Sequence, residues 1–175
     1  MPPFALVTID GGDAVNWHAR ANGDDPVAMI TDELLPQLAA RQLTTERLAL
    51  WGWSLGGFGA LHLAGVLGAE RVAAVVATSP ALWRGFDETM PGTFDDAADF
   101  ARVDLFGRPG PLAGIPVRND CGKSDAFAER ARDFRAALAT TPAGGLTPGC
   151  HDNAYWTRMV PEQLAFIGRR LNLQL

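Results

Sequence analysis

One short turn constrains this chain more than any other part of its sequence. Residues 52–56 read Gly-Trp-Ser-Leu-Gly and fit the pattern Gly-x-Ser-x-Gly, in which the serine occupies a strained bend between a strand and a helix. Side chains in place of the two glycines are expected to clash with the crossing backbone. The flanks suit this geometry, because 47–51 is a short apolar run and 58–67 is largely apolar and helix-forming. The pattern therefore predicts strand, sharp turn and helix.

The serine of this turn, Ser54, is a candidate nucleophile. The N-terminus of the following helix would lie beneath it, and the amide of Leu55 would point to where negative charge collects on an attacked carbonyl oxygen. A serine hydroxyl is a weak nucleophile at neutral pH, so it needs a histidine base and a carboxylate that orients this histidine. The alternative is a glycine-rich turn with an incidental serine.

The chain offers three histidines as candidates for the base. Where this turn is catalytic, the order along the chain is serine, acid, histidine, which excludes His18 and disfavours His62, two helical turns beyond the serine. His151 remains, in a loop before a predicted helix over 155–171. We expect His62 at the edge of the core and His18 in a loop near the pocket.

Asp125 is the preferred acid. Residues 115–120 predict a strand, and 121–125 the loop at its carboxyl end, where catalytic groups of parallel sheets gather. Asp120 is the second candidate, because it lies at the edge of the strand and could instead brace the loop. Asp125 also suits the N-cap of a predicted helix over 126–138, and the two roles are compatible.

These segments together resemble the putative-esterase family of the α/β-hydrolase superfamily, which includes S-formylglutathione hydrolase (esterase D), feruloyl-esterase-like enzymes and mycolyltransferases. The serine turn, the acid loop and the histidine loop carry the resemblance, with weaker support from Asp-Gly-Gly at 10–12 and Asp-Glu-Leu-Leu-Pro at 32–36. It implies an α/β fold, with a mainly parallel sheet and helices on both faces.

The same resemblance implies a serine carboxylesterase that works through an acyl-enzyme. The roles it implies are nucleophile, acid, base and one oxyanion donor, for Ser54, Asp125, His151 and the Leu55 amide. Two alternatives stay open: an acyltransferase of the mycolyltransferase type, and a catalytically weak or inactive truncated domain.

The sequence departs from this family at its beginning. Such enzymes have an earlier strand whose loop supplies the second oxyanion amide, whereas residues 1–9 look like the next strand along. We therefore expect 1–175 to be one partial α/β-hydrolase domain without the first strands. Gly11 and Gly12 are candidates for a substitute amide at the substrate. Losing one oxyanion donor typically lowers turnover by about 100- to 1,000-fold, so we expect weak activity.

Aromatic residues are the candidates for contacts with a substrate. Residues 82–113 predict a loop-rich insertion over the active site with one short helix at 95–101. Its candidate lining residues, each of which is more simply explained by packing, are Trp83, Phe86 and Phe94. Trp53 and Trp17 are stronger candidates, because their loops converge on the serine. We expect Trp156 to pack against the histidine loop.

Cys121 and Cys150 each lie shortly before a candidate catalytic residue. A disulfide between them would join the acid and base loops and contribute roughly 3 kcal/mol in an oxidising compartment. Two small buried thiols in a reducing compartment are the equally weighted alternative.

Composition narrows the possible partners. A net charge of −5 and a pI near 5.1 argue against nucleic acid and anionic membranes as partners. Metal-ligand spacing and phosphate-binding glycine loops are absent from the sequence, so we expect neither a metal nor a nucleotide cofactor. The expected partner is a small-molecule, lipid or carbohydrate ester. No signal peptide is visible in residues 1–10, and localisation, oligomeric state and the identity of the ester stay open.

Overall fold

A parallel sheet organises the computed structural model, which describes residues 4–11 and 17–171. Its four strands lie in chain order: β1 Leu48–Trp53, β2 Val72–Thr78, β3 Val117–Gly122 and β4 Leu146–Thr147. The α-helices are α1 Pro26–Ala28, α2 Leu35–Ala40, α3 Leu55–Arg71, α4 Ala97–Val103, α5 Ala128–Ala137 and α6 Asn153–Leu171. In the part of the chain that the structure describes, no helix has the length and apolar character to cross a membrane.

Strand β2 forms the centre of the core, and all seven of its residues are buried. Val75 and Ala77 face a cluster that includes side chains of α3 and α5. The alternate residues Ala74 and Val76 face α6. A strand covered on both faces reads as a continuous apolar run, as β2 does, and each fully buried valine contributes about 1.5–3 kcal/mol. This arrangement confirms the predicted α/β architecture with helices on both faces.

The first helical region is irregular around a proline. Asp25 caps α1 by accepting a hydrogen bond from the Ala28 amide. A π-helical stretch, Met29–Leu34, then joins α1 to α2, and the Leu35 amide donates to the Ile30 carbonyl five residues earlier. Pro36 has no amide hydrogen for a bond to the carbonyl four residues before it, which accounts for the wider turn there.

The strand predicted over residues 1–9 is not formed in its described part. Residues 4–10 have no regular secondary structure, and Leu6 is 63% exposed. Phe4 alone packs against the core, in the cluster beneath α6. A strand requires a hydrogen-bonded neighbour, and among the described residues β1 pairs only with β2. Strand-forming composition was therefore insufficient without a ladder partner.

Residues 82–113 form the long connection between β2 and β3. Beside α4 it contains two short 3₁₀ turns, Phe86–Glu88 and Gly110–Leu112. The predicted helix begins two residues late, because Asp96 accepts a hydrogen bond from the Asp99 amide and caps it. The connection also sends buried aromatic residues into the core: Trp83, Phe94 and Phe100. Phe86, in contrast, is exposed.

Candidate active site

The serine turn has the strained geometry that its sequence predicts. Ser54 lies between β1 and α3 with φ 52° and ψ −119°, a conformation that non-glycine residues rarely adopt. A Cβ on Gly52 would lie 2.0 Å from the carbonyl oxygen of Gly56, so position 52 requires glycine. The same expectation for Gly56 is wrong, since a Cβ there would meet no described atom within 4 Å. The close approach is thus set by the strand side of the turn.

The turn after β2 braces the serine turn. The Ser54 amide donates to the Thr78 carbonyl at 3.0 Å, and the Ala81 amide donates to the Ser54 carbonyl at 3.0 Å. Between these two contacts lies Ser79, a second strained residue with φ 46°. Strained backbone of this kind costs about 1–3 kcal/mol per residue and is held by its surroundings. The nucleophile candidate is therefore held by the end of β2 and the turn that follows it, as well as by its own strand.

Three predicted side chains lie in one chain of hydrogen bonds. The Nε2 atom of His151 is 2.9 Å from the Ser54 hydroxyl oxygen, and its Nδ1 atom is 2.9 Å from Oδ2 of Asp125. An ionised carboxylate can only accept, so Nδ1 carries the proton and donates to Asp125. Nε2 is then free to accept the proton of the serine hydroxyl. The side chain of Asp125 is fully buried, whereas that of His151 is 29% exposed and accessible from solvent.

Backbone contacts hold the acid and histidine loops together. A Cβ on Gly122 would lie 2.4 Å from the Gly149 carbonyl oxygen, so the glycine at the end of β3 lets the histidine loop approach. The Ser124 amide donates to that same carbonyl at 2.9 Å. Asp125 also accepts a hydrogen bond from the Phe127 amide at 2.8 Å through Oδ1. The carboxylate thus shapes the turn before α5 as well as orienting the histidine, and the N-cap of α5 is Phe127 rather than Asp125.

Aromatic rings surround the histidine. Phe127 lies on one side of His151 with ring centroids 5.5 Å apart, and Trp156 meets it edge-on at 5.1 Å. Trp53 stacks on Trp156 at 5.8 Å with 20° between the planes. Trp53 remains 40% exposed, immediately before the serine. The site therefore has apolar walls and one accessible indole face.

The amide of Leu55 belongs to the first turn of α3, which begins at this residue. Amides in a first turn have no acceptor within their own helix and carry the positive end of the helix dipole. Such an amide suits the stabilisation of an oxyanion next to Ser54.

Two other predicted substrate contacts lie at a packing site. A Cβ on Gly59 of α3 would lie 2.2 Å from the Trp17 ring, and a Cβ on Gly11 would lie 2.7 Å from it. The indole of Trp17 therefore fills space between α3 and the N-terminal segment. Gly12 lies outside the described residues.

The second acid candidate and the other histidines have different partners. Asp120 is fully buried and paired with Arg118. His18 is also buried, and its Nε2 donates to Asp99 at 2.9 Å, a contact that no local pattern in the sequence indicates. Burial, followed by the nearby charge of His18, lowers the pKa of His62 to about 4. Within the described ranges, no group of three or more His, Cys, Asp or Glu side chains could hold a metal ion.

Of the two alternatives for the cysteines, the disulfide is not formed, because Cys121 and Cys150 are both free, and only Cys121 is a buried thiol. Cys121 is fully buried and packs against Ala128 and Ala131 of α5. Burial, with the negative charge of Asp125 adding to it, raises the pKa of the Cys121 thiol to about 12. Cys150 is exposed on the histidine loop. One thiol thus points into the core and the other to solvent.

Comparison with solved structures places the fold. A ferulic acid esterase matches 87% of this chain and 64% of its own, with a TM-score of 0.69 and 22% identity. An S-formylglutathione hydrolase from Agrobacterium tumefaciens matches 85% of this chain and 58% of its own, with a TM-score of 0.66 and 22% identity. MPT51 (FbpC1) of Mycobacterium tuberculosis matches 90% of this chain and 72% of its own, with a TM-score of 0.69 and 16% identity.

These identities establish a shared fold, and the chain spans about three fifths of the length of the first two structures. No curated protein matches the chain. The sequence pattern of the family described as Putative esterase, however, matches residues 1–167. The chain therefore belongs to the putative esterase family, and its fold is of the α/β-hydrolase type.

Proposed function

We propose that this protein is a serine esterase that hydrolyses a carboxylic ester through an acyl intermediate on Ser54. The observation that supports the proposal is the hydrogen-bond chain from Asp125 through His151 to the serine hydroxyl, at 2.9 Å in each step. Membership of the esterase family favours the same chemistry.

In the first half-reaction the Ser54 oxygen attacks the ester carbonyl carbon while Nε2 of His151 takes the hydroxyl proton. Asp125 stabilises the resulting imidazolium through the Nδ1 hydrogen bond. The Leu55 amide donates to the oxyanion of the tetrahedral intermediate. Collapse of this intermediate breaks the ester C–O bond, and Nε2 returns the proton to the departing alcohol.

In the second half-reaction water takes the place of the alcohol. Nε2 of His151 removes a proton from the water as its oxygen attacks the acyl carbon. Collapse of the second tetrahedral intermediate releases the carboxylic acid, and Ser54 regains its proton. Every proton is carried by the histidine, so the cycle calls for no cofactor.

We further propose that the exposed face of Trp53 contacts the ester and that residues 82–113 roof the pocket. Trp83 of this connection packs edge-on against Phe127 at 6.1 Å, and Phe127 lies beside the histidine. Arg84 pairs with Asp133 of α5, which holds the start of the connection over that helix.

Labelling with a fluorophosphonate tests the nucleophile, because the reaction requires an activated serine. We expect label on the wild type and on the control variant Thr44→Ala, an exposed change before β1, and none on Ser54→Ala. Hydrolysis of p-nitrophenyl acetate should follow the same order. A folded wild-type sample that takes no label, or takes it away from Ser54, would contradict the proposal. Adding an alcohol separates hydrolysis from acyl transfer, since transfer yields a new ester in place of the acid.

A further inference from the structure

A single buried amide connects α6 to three strands. Gln163 has no exposed surface and points from α6 towards the sheet. Its Oε1 accepts from the indole nitrogen of Trp51 on β1 at 3.0 Å. Its Nε2 donates to the hydroxyl of Thr78 on β2 at 2.7 Å and to Oδ2 of Asp120 on β3 at 2.8 Å. One side chain therefore makes polar contacts with all three of these strands.

The chemistry of these partners requires an amide at position 163. Trp51 offers only a donor and the Asp120 carboxylate only acceptors, so their common partner must both accept and donate. A glutamate at position 163 would place a second carboxylate beside Asp120. A methionine there would remove the hydrogen bonds that the amide makes to all three partners. Buried polar groups that lose a partner destabilise their local geometry.

Each partner strand leads directly to the candidate active site. Trp51 precedes the nucleophile by three residues. The backbone of Thr78 accepts the Ser54 amide hydrogen, and that of Asp120 accepts the Ser79 amide hydrogen. Asp120 also lies five residues before the candidate acid. On the other side of the network, α6 follows the histidine loop, and Asp152 caps it through the Tyr155 amide.

We propose that Gln163 is a positioning residue of the esterase reaction. It holds α6 against β1, β2 and β3, so that Nε2 of His151 stays within hydrogen-bond reach of the Ser54 hydroxyl. The inference rests on the proposed function. Displacements near 1 Å at a reacting centre lower rates by about 100-fold, so a contact remote from the ester controls turnover.

The test compares Gln163→Met with Gln37→Met, a change at an exposed glutamine on α2. Turnover of p-nitrophenyl acetate is divided by the fraction of sites that a fluorophosphonate titrates. For Gln163→Met we expect kcat per titrated site to fall about 10- to 100-fold with KM within about twofold. Gln37→Met should match the wild type. A purely structural role would instead lower the titratable fraction and leave kcat per site unchanged, which would overturn the proposal.

A milder variant decides the matter if Gln163→Met fails to fold. Thr78→Val keeps the shape of β2 and removes only the hydroxyl that Gln163 contacts, and we expect kcat per titrated site to fall several-fold. An unchanged value would overturn the positioning role. A folded wild type without any label or turnover would overturn the proposed function and this inference together, whereas an active wild type with active variants would overturn this inference alone.

Discussion

The molecule contains two histidine–aspartate pairs of equal length in very different settings. His151 and Asp125 are 2.9 Å apart, and so are His18 and Asp99. The first pair is open on the histidine side and continues to the Ser54 hydroxyl. The second pair is buried, with 1% of each side chain exposed. The same two functional groups thus serve two roles, and the third partner distinguishes them.

The buried pair of His18 and Asp99 has the contacts of a structural interaction rather than those of a catalytic site. Asp99 accepts hydrogen bonds from the Asp95 amide at 2.8 Å and from Arg102 at 2.7 Å. Burial alone would raise the pKa of Asp99, but the hydrogen bonds from Asp95 and His18 lower it below its ordinary value. The His18 ring stacks on Phe94 at 5.0 Å. The pair therefore joins the segment after residue 17 to the connection between β2 and β3.

Replacing each histidine in turn gives the largest contrast. For His151→Ala we expect the turnover of p-nitrophenyl acetate to fall by about a millionfold, which is the loss seen when the histidine base of a serine protease is removed. His18→Ala should retain wild-type kcat per folded molecule, measured by rates corrected for the folded fraction from circular dichroism. Equal losses of kcat in the two folded variants would show that the buried His18–Asp99 pair also takes part in the reaction.

Replacing the aspartates should reverse the order of effects on stability. Asp99→Ala removes the buried carboxylate that His18, Arg102 and the Asp95 amide contact, and removing one member of a buried ionic site costs roughly 3–5 kcal/mol. Asp125→Asn keeps the shape of the side chain, so we expect a much smaller change. The free energy of unfolding in urea measures both. A smaller loss of unfolding free energy for Asp99→Ala than for Asp125→Asn would contradict the structural role of the His18–Asp99 pair.

The smallest expected effect concerns His62, whose low pKa depends partly on the nearby His18. Its folded-state pKa of about 4 lies below its ordinary value of 6.5, so the unfolded chain takes up a proton first as the pH falls. The stability of the wild type should therefore decrease between about pH 6.5 and pH 4, by no more than about 3 kcal/mol. His62→Gln should lack this decrease. Parallel curves of unfolding free energy against pH for the wild type and His62→Gln would contradict this contribution of His62.

The sequence led to the fold through local constraints. Gly52 is required because a Cβ there would clash with the backbone of Gly56 and Gly57. These residues are only four and five positions away, so a short sequence motif can reveal the constraint. Strand β2 is a continuous apolar run, the pattern typical of a strand covered on both faces, and its seven residues are buried. Residues 4–10 show the limit of such patterns, because a strand also needs a neighbour that composition cannot supply.

Part of the polar network had a weak signal in the sequence. Met159, Gln163 and Phe166 follow helical spacing on the buried side of α6, so a glutamine interrupts an apolar stripe. A buried amide in that place predicts polar partners on the facing sheet. Two partners of Gln163, Trp51 and Thr78, lie on strands more than 80 residues earlier in the chain. Nothing in their local sequence indicates that they contact this amide.

By itself, the sequence determined the strained serine turn, because the sterics of that turn involve only near neighbours in the chain, and its motifs together carried the resemblance to the esterase family. Only the tertiary structure decided that Asp125 rather than Asp120 meets His151, that His18 pairs with Asp99, and that the two cysteines stay apart. His18 meets Asp99 across 81 positions, and Ser54 meets His151 across 97. Contacts at such separations are set by how the whole sheet and its helices pack, since no short stretch of sequence contains both partners.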